Sequence, residues 1–363
     1  MPSLSQSSHW RPGPIISPPR CRCRRTMPST RCGRQRITSM LFIYDKTGAA
    51  IDLPGDGQLH RIADIGWYDL FNPTDEESAA VEAATGIDLP SRDELSDIEP
   101  SSRLYIENDA LFLTASLVYR VDSQIAGLAD TGFILSRDSL ITVRHAEPRA
   151  FKIFTTNMRR TCDFKGGGDI LASLLETIVD RTAEVLENAS RAVDDMTTSV
   201  FLVETQNRPD RATRDLEAQL VEIAALQRLV AKARESLNSL SRVTAYMASQ
   251  PQFASVRANK EKCKSVNRDI KSLSEHAGFI AGNITFLLDA CLGLISVQQN
   301  NVMKIFSVMA VLIMPATLIG SIYGMNFARI PELHWAYGYP MALGAMLLSG
   351  IVPYLWFRRK GWW

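Results

Sequence analysis

From Val302 to Ile322 the chain carries a single charge, Lys304, close to the start of the stretch. About 20 apolar residues wound as a helix span the roughly 30 Å hydrocarbon core of a bilayer, so the stretch predicts a transmembrane helix. It runs into Tyr323-Gly324-Met325-Asn326-Phe327, and after a short loop a second apolar run covers Tyr337 to Phe357. A large upstream body with a two-helix membrane hairpin at its end is the organisation this sequence dictates.

Charge sets the orientation. Arg358-Arg359-Lys360 follow the second span directly, and an excess of Lys and Arg marks cytoplasmic ends, so the tail at 358–363 belongs in the cytoplasm. Two spans return the chain to the same side, which places the body there too. The loop at 324–336, with Glu332, lies outside. The expected location is a membrane crossed twice, both termini cytoplasmic, with the lipid bilayer as a partner. Net charge is +1, but residues 1–39 hold eight Arg and no acid. The rest is therefore acidic on balance, which suits attraction of cations and not of nucleic acid. The six Cys show no finger spacing supported by His and no disulfide framework, as fits a reducing compartment. Residues 1–39, rich in Pro, Ser and Arg, read as a disordered basic tail or a mis-assigned start, since Met40 opens the first strand-like run.

The fold class this implies is an α+β cytosolic domain followed by long helices and the hairpin. Within 40–165, Ile65–Leu70, Arg103–Glu107, Ala110–Tyr119, Gly132–Ser136 and Ser139–Arg144 read as strands of a mixed or antiparallel sheet. Thr74…Glu77 and Ser91…Glu94 are capping boxes. Gly166-Gly167-Gly168 reads as a hinge-like break, after which helices fill 169–253 and a stalk helix runs from 254 to 323 without a stop. No phosphate-binding glycine loop and no nucleophile–base arrangement occurs, so an enzyme is not expected.

The stalk carries Ile270, Leu273, Ala277, Ile280, Ile284, Leu287, Cys291, Leu294 and Gln298, spaced by three and four. A heptad stripe of this length favours packing between like helices, or against the chain's own neighbouring helices. The stripe is expected to run on into the membrane as Asn300, Met303, Ser307, Ala310, Met314, Thr317 and Ser321, a face more polar or smaller than the rest. Polar residues along a transmembrane helix face a bundle interior or a water-filled cavity; small ones also serve helix packing. Two spans cannot enclose a pore, so several copies would each contribute one lining helix. The lining holds no acid, Cys or His. Neutral oxygens cannot strip water from a strongly hydrated dication such as Mg²⁺, which dehydrates reluctantly. Asn326 carbonyls would therefore hold the waters of a hydrated ion, while Met303 and Met314 form apolar rings suited to gating by dewetting.

Tyr323-Gly324-Met325-Asn326-Phe327, Pro331-Glu332-Leu333 and Tyr337-Gly338-Tyr339-Pro340, set between two terminal spans, resemble the CorA magnesium transporter family. Trp67-Tyr68-Asp69-Leu70 and Asp93-Glu94-Leu95-Ser96-Asp97 extend the resemblance into the body, over about Met40 to Trp363. The resemblance implies a funnel-shaped homopentamer and passive Mg²⁺ entry, with Co²⁺ and Ni²⁺ also carried. Gly324, Met325 and Asn326 would form the selectivity filter. Asn300, Met303, Phe306, Ser307, Met314, Thr317 and Ser321 would line the pore, Phe306 standing where a narrow apolar neck is usual. Glu332 would sit in the external loop. The family is also regulated by cytosolic Mg²⁺ bound between subunits, for which Asp122 and Asp269 are the candidates here. Two rivals stand beside this reading: a Zn²⁺ transporter of the related branch, and a membrane-anchored coiled-coil scaffold that transports nothing.

Overall fold

In the computed structural model the described residues are 40–51, 65–97, 99, 103–121, 126–137, 139–161, 164–203, 209–254, 257–325, 335 and 337–361. The tail at 1–39 lies outside them.

Seven strands form one mixed sheet: β1 (Met40–Asp45), β2 (Ala50–Ile51), β3 (Ile65–Phe71), β4 (Leu104–Glu107), β5 (Ala110–Tyr119), β6 (Gly127–Leu135) and β7 (Leu140–Arg144). Their order is β2-β1-β3-β7-β6-β5-β4, with β3 and β7 parallel and the other pairs antiparallel. Alternate residues of a strand point to opposite faces, and here both faces are covered. Leu70, Phe112, Ile134 and Val143 pack with Val81 of α1 (Asp75–Thr85) and Leu95 of α2 (Arg92–Leu95). On the other face Trp67, Leu113, Phe133 and Leu140 pack with α3 (Arg149–Thr161) and α4 (Gly167–Val203). Local chemistry places the ends. Thr74 and Ser91 each accept from the backbone N–H three residues on, and Glu77 and Glu94 return the bond, closing both expected capping boxes. Asn108 and Asp109, at φ 49° and 64°, make the two-residue turn between β4 and β5, the left-handed pair such a hairpin requires.

The Trp67–Leu70 motif proves to be architecture. Asp69 is 2% exposed and lies in a bidentate pair with Arg144, both N···O distances 2.9 Å, across the parallel β3–β7 junction. Thr142 donates to Asp69 at 2.8 Å and accepts from the Trp67 indole at 3.0 Å. The carboxylate is fully partnered, as a buried charge must be.

Gly166-Gly167-Gly168 is not a hinge. A Cβ on Gly167 would stand 2.4 Å from the Ser139 carbonyl carbon, and one on Gly168 would stand 2.9 Å from Asn259 Nδ2. The glycines let α4 start hard against β7 and the long helix, and the helix begins at Gly167 itself. Lys262 then ties that start in place, its ammonium 2.6 Å from Asp169 and 3.0 Å from the Ser173 hydroxyl.

After α4 come α5 (Pro209–Ser249), the one-turn α6 (Pro251–Ala254) and α7 (Arg257–Tyr323). The 67 residues of α7 give a rod about 100 Å long at 1.5 Å per residue. Its heptad stripe is spoken for within the chain. Ile270, Ala277, Ile280, Ile284, Leu287 and Cys291 are buried in one core cluster with Val179 and Leu186 of α4 and Leu237 and Met247 of α5. Of the two readings of this stripe, packing against the chain's own neighbouring helices is the one found: α4 and α5 cover it. A straight continuation into the membrane face fails for a related reason. From Gln298 to Asn300 is a step of two, about 200° around a helix, so the two sets lie on nearly opposite sides.

Candidate functional site

α7 and α8 (Gly338–Arg359) each hold a stretch long and apolar enough to cross a membrane. Only 6% and 11% of those stretches are buried inside the chain, whereas the core helix of a soluble protein is mostly buried. The residues of α7 that are covered, fully or in part, include Lys304, Val308, Leu312, Pro315, Ile319 and Tyr323. Steps of three and four put them on one face, with Val308 at 2% exposure. That face meets α8. A Cβ on Gly320 would stand 3.3 Å from Met346 Cε, and one on Gly350 would stand 3.9 Å from the Leu312 carbonyl oxygen. Small residues of this kind let membrane helices approach closely. Continued from Gln298 by three and four, the buried heptad stripe leads here, to Val308, Leu312, Pro315 and Ile319.

The residues expected to line a pore lie elsewhere on α7. Asn300, Met303, Ser307, Ala310, Met314, Thr317 and Ser321 are all exposed. They form a seam turned away from α8. Followed backwards by the same steps, the seam gives Ser296, Gly293, Asp289, Phe286, Gly282, Phe279 and Glu275, and every one of these is exposed too. So among the described residues one face of α7 stays uncovered from the N-terminal body to the end of the apolar stretch. Asp289, Phe286 and Phe279 belong to it and are absent from the expectations. Stepping back from Asn300, instead of forward from Ile270, finds them in the sequence alone.

The seam's chemistry is specific. The Ser307 and Thr317 hydroxyls donate to the carbonyls of Met303 and Ile313, each at 2.9 Å. Their protons are thus engaged, leaving oxygen lone pairs facing outward as acceptors. Acceptors suit the hydrogens of a cation's water shell. Met303, Met314 and Phe306 alternate with these oxygens as exposed apolar groups. Asp289 is the only carboxylate on the seam between Phe279 and Ser321. Pro315 has no N–H, so the Val311 carbonyl lacks its helix donor.

At the end of α7, Gly324 N–H donates to Gly320 O at 3.0 Å and Met325 N–H to Ile322 O at 3.3 Å. The helical turn thus winds on through two of the three expected filter residues. Asn326, Glu332 and Asp122 lie outside the described residues. Asp269 is on α7 within the N-terminal body, 4.0 Å from Arg268. Burial, and then the charge of Asp269, push the carboxyl of Asp180 on α4 above its usual range. Among the described residues no group of three or more His, Cys, Asp or Glu is placed to hold a metal ion.

Residues 63–359 match the CorA-like Mg²⁺ transporter protein family. The chain is 33% identical over 297 residues to the magnesium transport protein CorA of Haemophilus influenzae, covering 82% of this chain and 91% of the relative. The complete structure of the CorA magnesium transporter from Methanocaldococcus jannaschii superposes with a TM-score of 0.69 at 19% identity, over 90% of this chain and all of that one. The ZntB cytoplasmic domain from Vibrio parahaemolyticus matches with a TM-score of 0.51 at 11% identity, over 71% of this chain and 98% of that domain. At such identities the two structures speak for the fold alone, and the ZntB match does not favour zinc. With the family match spanning most of its length, and with the body, long helices and apolar hairpin all in place, this chain belongs to the CorA-like Mg²⁺ transporter family.

Proposed function

We propose that copies of this chain assemble as a homopentamer around the exposed seam of α7 and form a channel for passive uptake of Mg²⁺, with Co²⁺ and Ni²⁺ as further substrates. The uncovered seam carries the reading. A helix face with acceptor oxygens and methionines, exposed from body to membrane end, is covered by nothing among the described residues. Copies arranged around an axis would cover it and enclose a path for ions. The family's named Mg²⁺ transporters supply the ion.

In this reading Asn326, with Gly324 and Met325, forms the entrance filter and holds the ion through its waters. Thr317, Ser321, Ser307 and Asn300 continue the acceptor path. Met314, Phe306 and Met303 narrow it with apolar rings that dewet when the copies close in. Asp289 collects cations at the cytoplasmic end, and Glu332 does so outside. Arg358, Arg359 and Lys360 hold the C-terminus in the cytoplasm, which puts the body there and the protein in the cell (inner) membrane.

Regulation by cytosolic Mg²⁺ falls to Asp269, next to Asp180, and to Asp122. Repulsion between acids is screened when the cation binds, which favours a symmetric closed state. The seam carries no Cys or His, so the soft ligands that favour Zn²⁺ over Mg²⁺ are missing from it. Substituting Asn326→Ala is expected to abolish Mg²⁺ uptake into proteoliposomes while the protein still assembles. Uptake at the unsubstituted rate would remove the filter assignment.

A further inference from the structure

We propose that Phe279 and Phe286 form two aromatic constrictions across the cytoplasmic reach of the pathway, so that a cation leaving the membrane passes an apolar neck before it is released. The inference rests on the seam of α7 being the pore lining, and it adds a control point on the cytoplasmic side. Both side chains are bare: Phe279 is 63% exposed and Phe286 is 60% exposed. Lipid does not cover them, because Phe286 lies 16 residues before Val302, about 24 Å along the helix. The chain's own α4 and α5 cover the opposite stripe. Nothing else among the described residues covers them, which leaves the same face of other copies, because both rings stand on the seam that continues through Asn300 and Met303 into the membrane stretch.

The spacing gives the constriction its form. Seven residues separate the two rings, about 10 Å of rise. Gly282 sits between them on the seam, and a Cβ there would meet nothing within 4 Å, as also at Gly278 and Gly293. The order along the path is then Ser296, Gly293, Asp289, Phe286, Gly282, Phe279. Asp289 lies three residues nearer the membrane than Phe286, about 4.5 Å along the axis. A ring of carboxylates would hold a hydrated cation directly above a ring of aromatic side chains. The aromatic ring offers no oxygen in exchange for the ion's water, and a narrow apolar constriction closes to ions by dewetting. Phe286 therefore limits release, and Phe279 adds a second, more distal step past the gap left by Gly282.

The test is the rate of Mg²⁺ flux per assembled channel, measured with the full chain in proteoliposomes. Phe286→Ala is expected to raise the rate at least about threefold and Phe286→Trp to lower it at least about threefold. Phe279→Ala should raise it by less. Phe286→Leu, which keeps an apolar side chain in the helix, should also be faster and serves where Ala disturbs assembly. A rate per channel that is unchanged or slower in both Phe286→Ala and Phe286→Leu overturns the proposal. So does weakened assembly at an unchanged rate, which would mean that the rings only pad helix contacts. Thr317→Cys, in the membrane stretch, keeps the two claims apart. Block of its flux by a charged thiol reagent, with Phe286 variants behaving as unsubstituted protein, removes the neck and leaves the pore. No block at Thr317→Cys, relative to the unsubstituted chain, removes both.

Discussion

Two acid residues show how differently a carboxylate is used in this chain. Asp69 is buried against Arg144, and removing one member of a buried pair leaves an unpaired charge at a cost of about 3–5 kcal/mol. Arg144→Met should therefore lower the thermal midpoint of the detergent-solubilised protein by many degrees, whereas Asp45→Asn, at an edge turn, should cost far less. Equal shifts for the two would mean that the Asp69–Arg144 pair does not hold the β3–β7 junction. Asp180 works in the opposite sense. Burial and Asp269 raise its pKa, so its contribution to stability is present below its ordinary pKa and is lost as pH rises through the raised value. At neutral pH the pair is repulsive, and Asp269→Asn should make the protein more stable near pH 7 than the unsubstituted chain, with the difference shrinking below about pH 4. Melting curves across pH in chelator check this; a difference that grows on acidification contradicts it. If the pair also binds the regulatory ion, Mg²⁺ should protect the body from protease in the unsubstituted chain and not in Asp269→Asn.

At the level of the element, glycines divide into those the fold needs and those it leaves bare. Gly167→Ala pushes a methyl into the Ser139 backbone and should destabilise by about 1–3 kcal/mol, the usual cost of overpacking. Gly282→Ala meets nothing in the chain and should stabilise α7 by up to about 1 kcal/mol through helix propensity alone. Chemical denaturation with matched variants measures both; the reverse order of stabilities contradicts the packing described. The same contrast explains what is legible in the sequence. Caps are local: Thr74, Glu77, Ser91 and Glu94 carry their geometry in a four-residue pattern, and the two-residue turn at Asn108 and Asp109 does likewise. Strand positions follow from apolar runs bounded by turns, although β6 begins at Gly127, five residues earlier than its apolar end suggests. The apolar hairpin is legible because nothing else calls for two such runs. The use of each face of α7 is not legible. Heptad spacing states which residues share a side, and it is silent about what covers that side. Ile270 to Leu294 pattern equally well for another copy or for α4 and α5, and only three-dimensional packing decides. The Gly166–Gly168 run fails in the same manner, since glycines that permit motion and glycines that permit contact look alike in one dimension.

For the whole molecule, the division of α7 into two faces decides how the chain is used. One face is spent on the chain's own body, through Ile280, Leu287 and Cys291 against α4 and α5 and Val308 and Leu312 against α8. The other is exposed along its length and is the surface proposed for contact between copies and for the ion path. A strict three-four repeat drifts by about 20° per heptad on a straight helix, so helices keeping this seam on a common axis should wind around one another with a left-handed twist. The most direct measurement is a cysteine scan from Asn300 to Ser321, reading block of Mg²⁺ flux by a charged thiol reagent at each position. Block is expected at Asn300, Met303, Ser307, Ala310, Met314, Thr317 and Ser321, and little at Val308, Leu312 and Ile319. Block centred on the α8-facing positions, or spread without a three-four period, would contradict it.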